Sequence, residues 1–149
     1  MAINITLNHI QLVKESTKRY DLPRLIKNPK DASEVGKAVF NLDNEAQEVV
    51  VLLSLNIHHR LVGVHEICRG SATKAIVHPR EVFKTAFLHN AAAIILLHNH
   101  PSGNLSASQE DKMITDVIRE SGNILDVPLL DHIINSEEGY LSFKEQGML

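Results

Sequence analysis

The sequence of 149 residues contains no tryptophan and a single cysteine, Cys68, and only 4% of its residues are aromatic. One cysteine excludes an internal disulfide framework and fits a reducing compartment. With so few aromatics, a core must be built mainly from Ile, Leu, Val and Ala. No apolar run reaches transmembrane length. No basic segment is followed by the apolar stretch of a secretory signal, so cytoplasmic residence and no membrane partner are the expectations. A strong basic stripe is also missing. The formal net charge is -3, and the nearest approach, Lys14, Lys18, Arg19, Arg24, Lys27 and Lys30, is spread thinly. That reads as a solvated face rather than a nucleic-acid footprint.

What is present is the composition of an ordinary soluble domain, 44% hydrophobic and 22% charged, at a length that one core can serve. Residues 1–30 are the least patterned. Ile3, Ile5 and Leu7 alternate as in a short edge strand, Pro23 and Pro29 interrupt the chain near the end of the stretch, and it is too short for a domain of its own. It is expected to be an N-terminal extension packed on a main domain of residues 31–149.

In that domain, Asp31 or Ser33 can cap a helix reaching about Leu42, with Val35, Ala38 and Val39 inward. Residues 48–55 form a nearly continuous apolar run, hence a buried strand, and residues 61–67 return antiparallel after a turn holding His58 and His59. Ala75-Ile76-Val77 has the character of a further short strand. Pro79 suits a first helical position, with Val82, Phe83, Ala86 and Phe87 at helical spacing. Residues 91–97 read as a buried strand. A helix comes next from about Ser108 to Ser121, with Met113, Ile114, Val117 and Ile118 inward and Gly122 as its stop. Residues 127–134 and 140–143 are the last strands. Helices alternating with buried strands predict an α/β domain with a mixed central sheet flanked by helices.

The chemistry concentrates in His98-Asn99-His100-Pro101-Ser102-Gly103-Asn104 and the helix start Ser108-Gln109-Glu110-Asp111. Ligands bind beyond the carboxyl ends of strands in open α/β sheets, and here two histidines come directly after a seven-residue apolar run. Residues two apart on a strand point the same way, roughly 6.6 Å apart along the chain, so two imidazoles can converge on one ion. Asp111, on the next helix, is a third candidate ligand. His, His and Asp leave a fourth tetrahedral position open, which is the catalytic rather than the structural arrangement of zinc. A plainer role competes, because Ser108 to Asp111 also has the form of a capping box with Asp111 at N3.

His98-x-His100, seven residues, Ser108, two residues and Asp111 resembles the JAMM (MPN-plus) metal motif of zinc isopeptidases. The fuller string His-Asn-His-Pro-Ser-Gly-Asn resembles the RadC branch of that superfamily. Val77-His78-Pro79-Arg80-Glu81, Leu130-Asp131-His132-Ile133-Ile134 and the ending from Tyr140 match it as well, so that the likeness covers residues 31–149. It implies a three-layer sandwich of the JAMM and cytidine-deaminase type. It also implies zinc held by His98, His100 and Asp111, and hydrolysis of an amide or isopeptide bond in a protein or peptide substrate. Ser108 would assist the oxyanion or the attacking water, and a glutamate on the first strand after a helix would be the general base. Glu48 fits that place in the topology; Glu66, beside His65, competes for it.

Other readings are narrower. His65-Glu66-Ile67-Cys68-Arg69 begins like a His-Glu-x-x-His zinc motif but lacks the second histidine and lies on a strand. A zinc nucleobase deaminase needs a Pro-Cys-x-x-Cys pair, which one cysteine cannot supply. Proteins resembling RadC carry a DNA-repair label, and many have a helix-hairpin-helix segment ahead of this domain. Residues 1–30 cannot hold one, so the non-enzymatic alternative, a DNA-repair-associated accessory module, implies indirect contact with DNA. His132 could stand behind the zinc ligands, and free sheet edges could pair chains into an oligomer.

Overall fold

The computed structural model describes residues 1–70 and 77–149. Eight elements succeed one another in chain order: α1 (Pro29–Phe40), β1 (Val49–Leu55), β2 (Leu61–Arg69), α2 (Pro79–Leu88), β3 (Ala93–Asn99), α3 (Gln109–Ile124), β4 (Leu129–Ser136) and β5 (Gly139–Ser142). The strands form one sheet in the order β2-β1-β3-β4-β5. Only the β3–β4 pair is parallel, bridged by α3; the other pairs are antiparallel. The sheet is mixed, as the sequence pattern predicts.

Every residue of β1 and β3 is buried, which explains their unbroken apolar runs: a strand covered on both faces has no polar side to show. On one face Val49, Val51, Leu53, Leu55, Ile95 and Leu97 pack with Ala32 and Val35 of α1. On the other, Val50, Leu52, Ile94 and Leu96 pack with Val82, Phe83 and Ala86 of α2 and Ile118 of α3. The result is three layers, with α1 on one side and α2 and α3 on the other.

Several local expectations need correction. Helix α1 starts at Pro29 under an Asn28 cap, not at Asp31 or Ser33. Asn28 accepts from the Asp31 N–H at 3.0 Å, while the Asp31 carboxylate accepts from the Lys27 N–H at 2.8 Å. Residues 1–21 are exposed and hold neither strand nor helix, so Ile3, Ile5 and Leu7 do not form the expected edge strand. The chain joins the body at the Leu25–Arg60 bridge, through backbone hydrogen bonds from Ile26 to His59 and from Leu61 to Arg24, and through buried Ile26 and the packing of Leu22. Of the short strand expected over residues 75–77, Ala75 and Ile76 lie outside the described residues.

Phe87, expected inward on α2, is exposed, and Thr85 is buried in its stead. Helix α3 continues past Gly122 to Ile124; Gly122 lies inside it, where a Cβ would stand 2.6 Å from the Val127 carbonyl oxygen. Its inward stripe is Asp111, Thr115, Ile118 and Gly122, whereas Met113 is 61% exposed and Val117 45%. The helix therefore turns two polar side chains toward the sheet at its N-terminal end, beside the carboxyl end of β3.

Candidate metal centre

His98 is the penultimate residue of β3 and continues the side of Ile94 and Leu96, facing the α2–α3 layer. The strand runs two residues further than the apolar run suggested, so His98 and Asn99 are within it and His100 lies just past its end. A tight turn comes next. The Gly103 N–H reaches the His100 carbonyl at 2.8 Å, with Gly103 at φ +77°, a conformation that favours glycine. The turn returns the chain so that the Asn104 carbonyl accepts from His100 Nδ1 at 2.8 Å. That bond keeps hydrogen on Nδ1 and turns Nε2 inward, so that Nε2 offers a lone pair to a metal once it gives up its proton.

Ser108 then caps α3. Its Oγ accepts from the Asp111 N–H at 3.0 Å, and Asp111 Oδ2 accepts from the Ser108 N–H at 2.8 Å. The capping box and the convergence on the histidines prove compatible, because a carboxylate has lone pairs for both. His98 Nε2 stands 3.2 Å from Asp111 Oδ1, His100 Nε2 stands 3.3 Å from Asp111 Oδ2, and the two Nε2 atoms are 3.0 Å apart. Donors about 2.0–2.1 Å from one ion at tetrahedral angles lie roughly 3.3 Å from each other. These three residues, the group among the described residues with the makings of a metal site, fit that spacing. Two imidazole nitrogens and a carboxylate facing one another at this range need a cation or a proton between them.

Charge obeys the geometry. Donating a hydrogen bond to the Asp111 carboxylate raises His100 above its ordinary 6.5 against the opposing effect of burial, with the Asn104 carbonyl and Glu48 adding to the rise. Burial would raise Asp111, but the hydrogen bond it accepts from His100 and the His98 ring beside it hold it well below its ordinary 3.8. Burial keeps His132 well below 6.5, hence neutral, and the neighbouring His98 reinforces this. A metal must displace the proton on His100. Apparent affinity for a divalent metal is therefore expected to be constant at high pH and to fall by about tenfold per pH unit below the raised His100 value. A zinc titration across pH checks this, and a fall that begins only below 6.5 contradicts it. In the metal-free protein the same shift stabilises the fold below pH 6.5, and that contribution is lost as pH rises through the raised value.

The register separates the two glutamates. Val50 pairs with His98 across β1 and β3. Continuing that antiparallel register by two residues sets Glu48 opposite His100, and opposed residues share a face. The half-buried Glu48 acts electrostatically on both His100 and Cys68. Glu66 instead pairs with Val51, on the α1 face, and its carboxylate is held by Arg69 through bonds of 3.0 and 2.9 Å. Cys68 shares the Val50 row and is half-buried, its thiol pushed up to about 11 by burial and then by Glu48 and Glu66. Ser108 is exposed at the helix start.

Two residues of the site escaped the sequence reading. Asn99, between the histidines, points to the opposite face. It accepts from the Val49 N–H at 2.8 Å and donates to the carbonyls of Gln47 at 3.0 Å and Glu45 at 3.3 Å, bracketing Glu48. Thr115, one turn after Asp111, hydrogen-bonds to His132, and His132 lies behind His98 as the sequence suggested. The i, i+4 spacing to Asp111 was the available signal for Thr115.

Comparison with known proteins gives a consistent family. The model of the "RadC-like JAB domain" matches residues 26–148. A UPF0758 protein of Clostridium beijerinckii is 38% identical over 148 residues, covering 95% of this chain and 64% of its own length. UPF0758 proteins of Thermotoga maritima and Stenotrophomonas maltophilia are 41% and 45% identical over 103 and 108 residues. They cover 69% and 72% of this chain and 46% of their own lengths in each case. The chain thus spans about half the length of the curated relatives it matches. Among the described residues no helix is long and apolar enough to cross a membrane.

Proposed function

The chain belongs to the RadC-like JAB domain family, and from that membership and the geometry of its centre we propose a zinc-dependent metallohydrolase that cleaves an amide or isopeptide bond in a protein or peptide. The observation that carries this reading is the convergence of His98 Nε2, His100 Nε2 and the Asp111 carboxylate at 3.0–3.3 Å. Imidazole and carboxylate donors with one position left open suit zinc and leave room for a substrate.

His98, His100 and Asp111 would hold the ion, which when bound polarises a carbonyl and makes a water nucleophilic near neutral pH. The rest of the work falls to the chain itself. A Glu48 carboxylate oxygen takes the proton of the attacking water and returns it to the departing amine nitrogen. The Ser108 Oγ accepts from the Asp111 N–H, which leaves its own proton to donate to the developing oxyanion. Glu48 is preferred over Glu66 because it lies across the register from His100, whereas Glu66 pairs with Val51 on the α1 face.

The test is Glu48→Gln. The variant is expected to retain stoichiometric zinc and to lose about 10²–10⁴-fold in hydrolysis of peptides carrying an ε-linked lysine amide. Zinc content by atomic emission, read beside turnover, checks both halves. Turnover equal to wild type in the variant removes Glu48 from the mechanism. No chelator-sensitive hydrolysis by the wild-type protein across such a panel removes the hydrolase reading.

A further inference from the structure

Behind His98 a buried chain of hydrogen bonds runs to the backbone of α3. His98 Nδ1 is 2.8 Å from His132 Nε2, His132 Nδ1 is 2.6 Å from Thr115 Oγ1, and Thr115 Oγ1 donates to the Asp111 carbonyl oxygen at 2.6 Å. His98, His132 and Thr115 are each at most 2% exposed. Phe143 stacks on the His132 ring with centroids 4.7 Å apart and planes 20° from parallel, and the His132 backbone N–H is held by Asp131 Oδ1 at 2.8 Å. The ring has little freedom to turn.

In such a chain the donors and acceptors must alternate. A carbonyl only accepts and a hydroxyl has one proton, so Thr115 spends its proton on Asp111 and presents a lone pair to His132. His132 Nδ1 must then carry hydrogen, and its Nε2, bare, must accept from His98 Nδ1. His98 Nε2 is left as a lone pair facing His100 and Asp111. The opposite order would point an N–H of His98 into the centre, where it cannot bind a metal. His100 obtains the same tautomer directly from the Asn104 carbonyl; His98, inside the strand, receives it through two relays.

We propose that Thr115 and His132 are positioning residues that hold His98 as its Nδ1–H tautomer and thereby prepare Nε2 as a ligand. Asp111 then serves the centre twice, with its carboxylate in front and its backbone carbonyl behind. The tautomer stands on the hydrogen bonds alone; its consequence for metal affinity rests on the zinc reading above.

The experiment has two arms on the full chain. Two-bond nitrogen–proton correlation of the imidazoles in the metal-free protein is expected to show both His98 and His132 as Nδ1–H tautomers. An Nε2–H signature at either residue overturns the proposal, whether or not zinc binds. In zinc titrations Thr115→Val, which removes the hydroxyl and keeps the shape, is expected to bind about 10–100-fold more weakly. Thr115→Ser, which restores the hydroxyl, is expected to return the affinity to near wild type. Wild-type affinity in Thr115→Val, or no recovery in Thr115→Ser, also overturns it. A wild-type protein that binds no zinc defeats the metal reading while the tautomer arm still decides this one. That arm needs no variant, so a failure of Thr115→Val to fold leaves it intact.

Discussion

His100→Ala is expected to abolish tight zinc binding while costing the metal-free fold less than His98→Ala does. Zinc held by a full set of protein ligands binds with roughly 10–16 kcal/mol. A share of about 3–4 kcal/mol for one ligand corresponds to a loss of about 10²–10³ in affinity. His100 lies beyond the end of β3 and is half-buried, so its removal costs the metal-free protein the bonds to Asp111 and the Asn104 carbonyl, about 1–3 kcal/mol, and opens no core cavity. His98→Ala is expected to lose zinc equally but to destabilise the metal-free protein further. It opens a cavity among buried side chains and leaves His132 without its 2.8 Å partner. Calorimetric zinc titration beside metal-free thermal unfolding separates the two variants. A His100→Ala protein that binds zinc as the wild type does would remove this residue from the centre.

Asn99→Ala is expected to damage stability and the proposed hydrolysis together while sparing the metal. Its side chain makes three bonds, to the Val49 N–H and to the carbonyls of Gln47 and Glu45, and it is 2% exposed. Deleting it strands buried backbone groups at about 1–3 kcal/mol for an unpaired group, so a loss of roughly 2–4 kcal/mol is expected. The melting temperature should fall by about 2–4 °C per kcal/mol in a chain of this size. Those bonds grip the backbone on both sides of Glu48, so the variant should also lose turnover at unchanged zinc content. A variant that melts with the wild type would show that the segment before β1 is held by other contacts.

The apolar runs of β1 and β3 were legible because both faces of the sheet are covered, so neither strand had to alternate. The start of α1 was misplaced since its cap is Asn28 followed by Pro29, a signal masked by the capping residues further on. Alternation at Ile3, Ile5 and Leu7 suggested a strand, but alternation without a partner edge supplies no ladder. On the inward face of α3, Ile114 and Ile118 pack on the core as expected, but Met113 and Val117 were misassigned for an informative reason. Assigning apolar side chains to the inside works where a helix faces a core and fails where it faces a site, and α3 turns Asp111 and Thr115 inward while Met113 and Val117 meet solvent. Phe87 of α2 points outward for a different reason: a helix of ten residues on one flank of a sheet can bury only a narrow stripe.

By itself the sequence determined the α/β class, the family likeness, and the grouping of His98, His100 and Asp111. These depend on short-range periodicity and on spacing across one strand, one turn and one helix start, which the chain carries locally. Tertiary structure decided the rest. The sequence favoured Glu48 over Glu66 by its place in the topology, and the strand registers put the two on opposite faces of the sheet, Glu48 across from His100 and Glu66 across from Val51. Asn99, Thr115 and His132 acquire their roles from contacts between segments 17 to 54 residues apart, and hydrogen-bond direction across such distances is set by packing that no local pattern encodes.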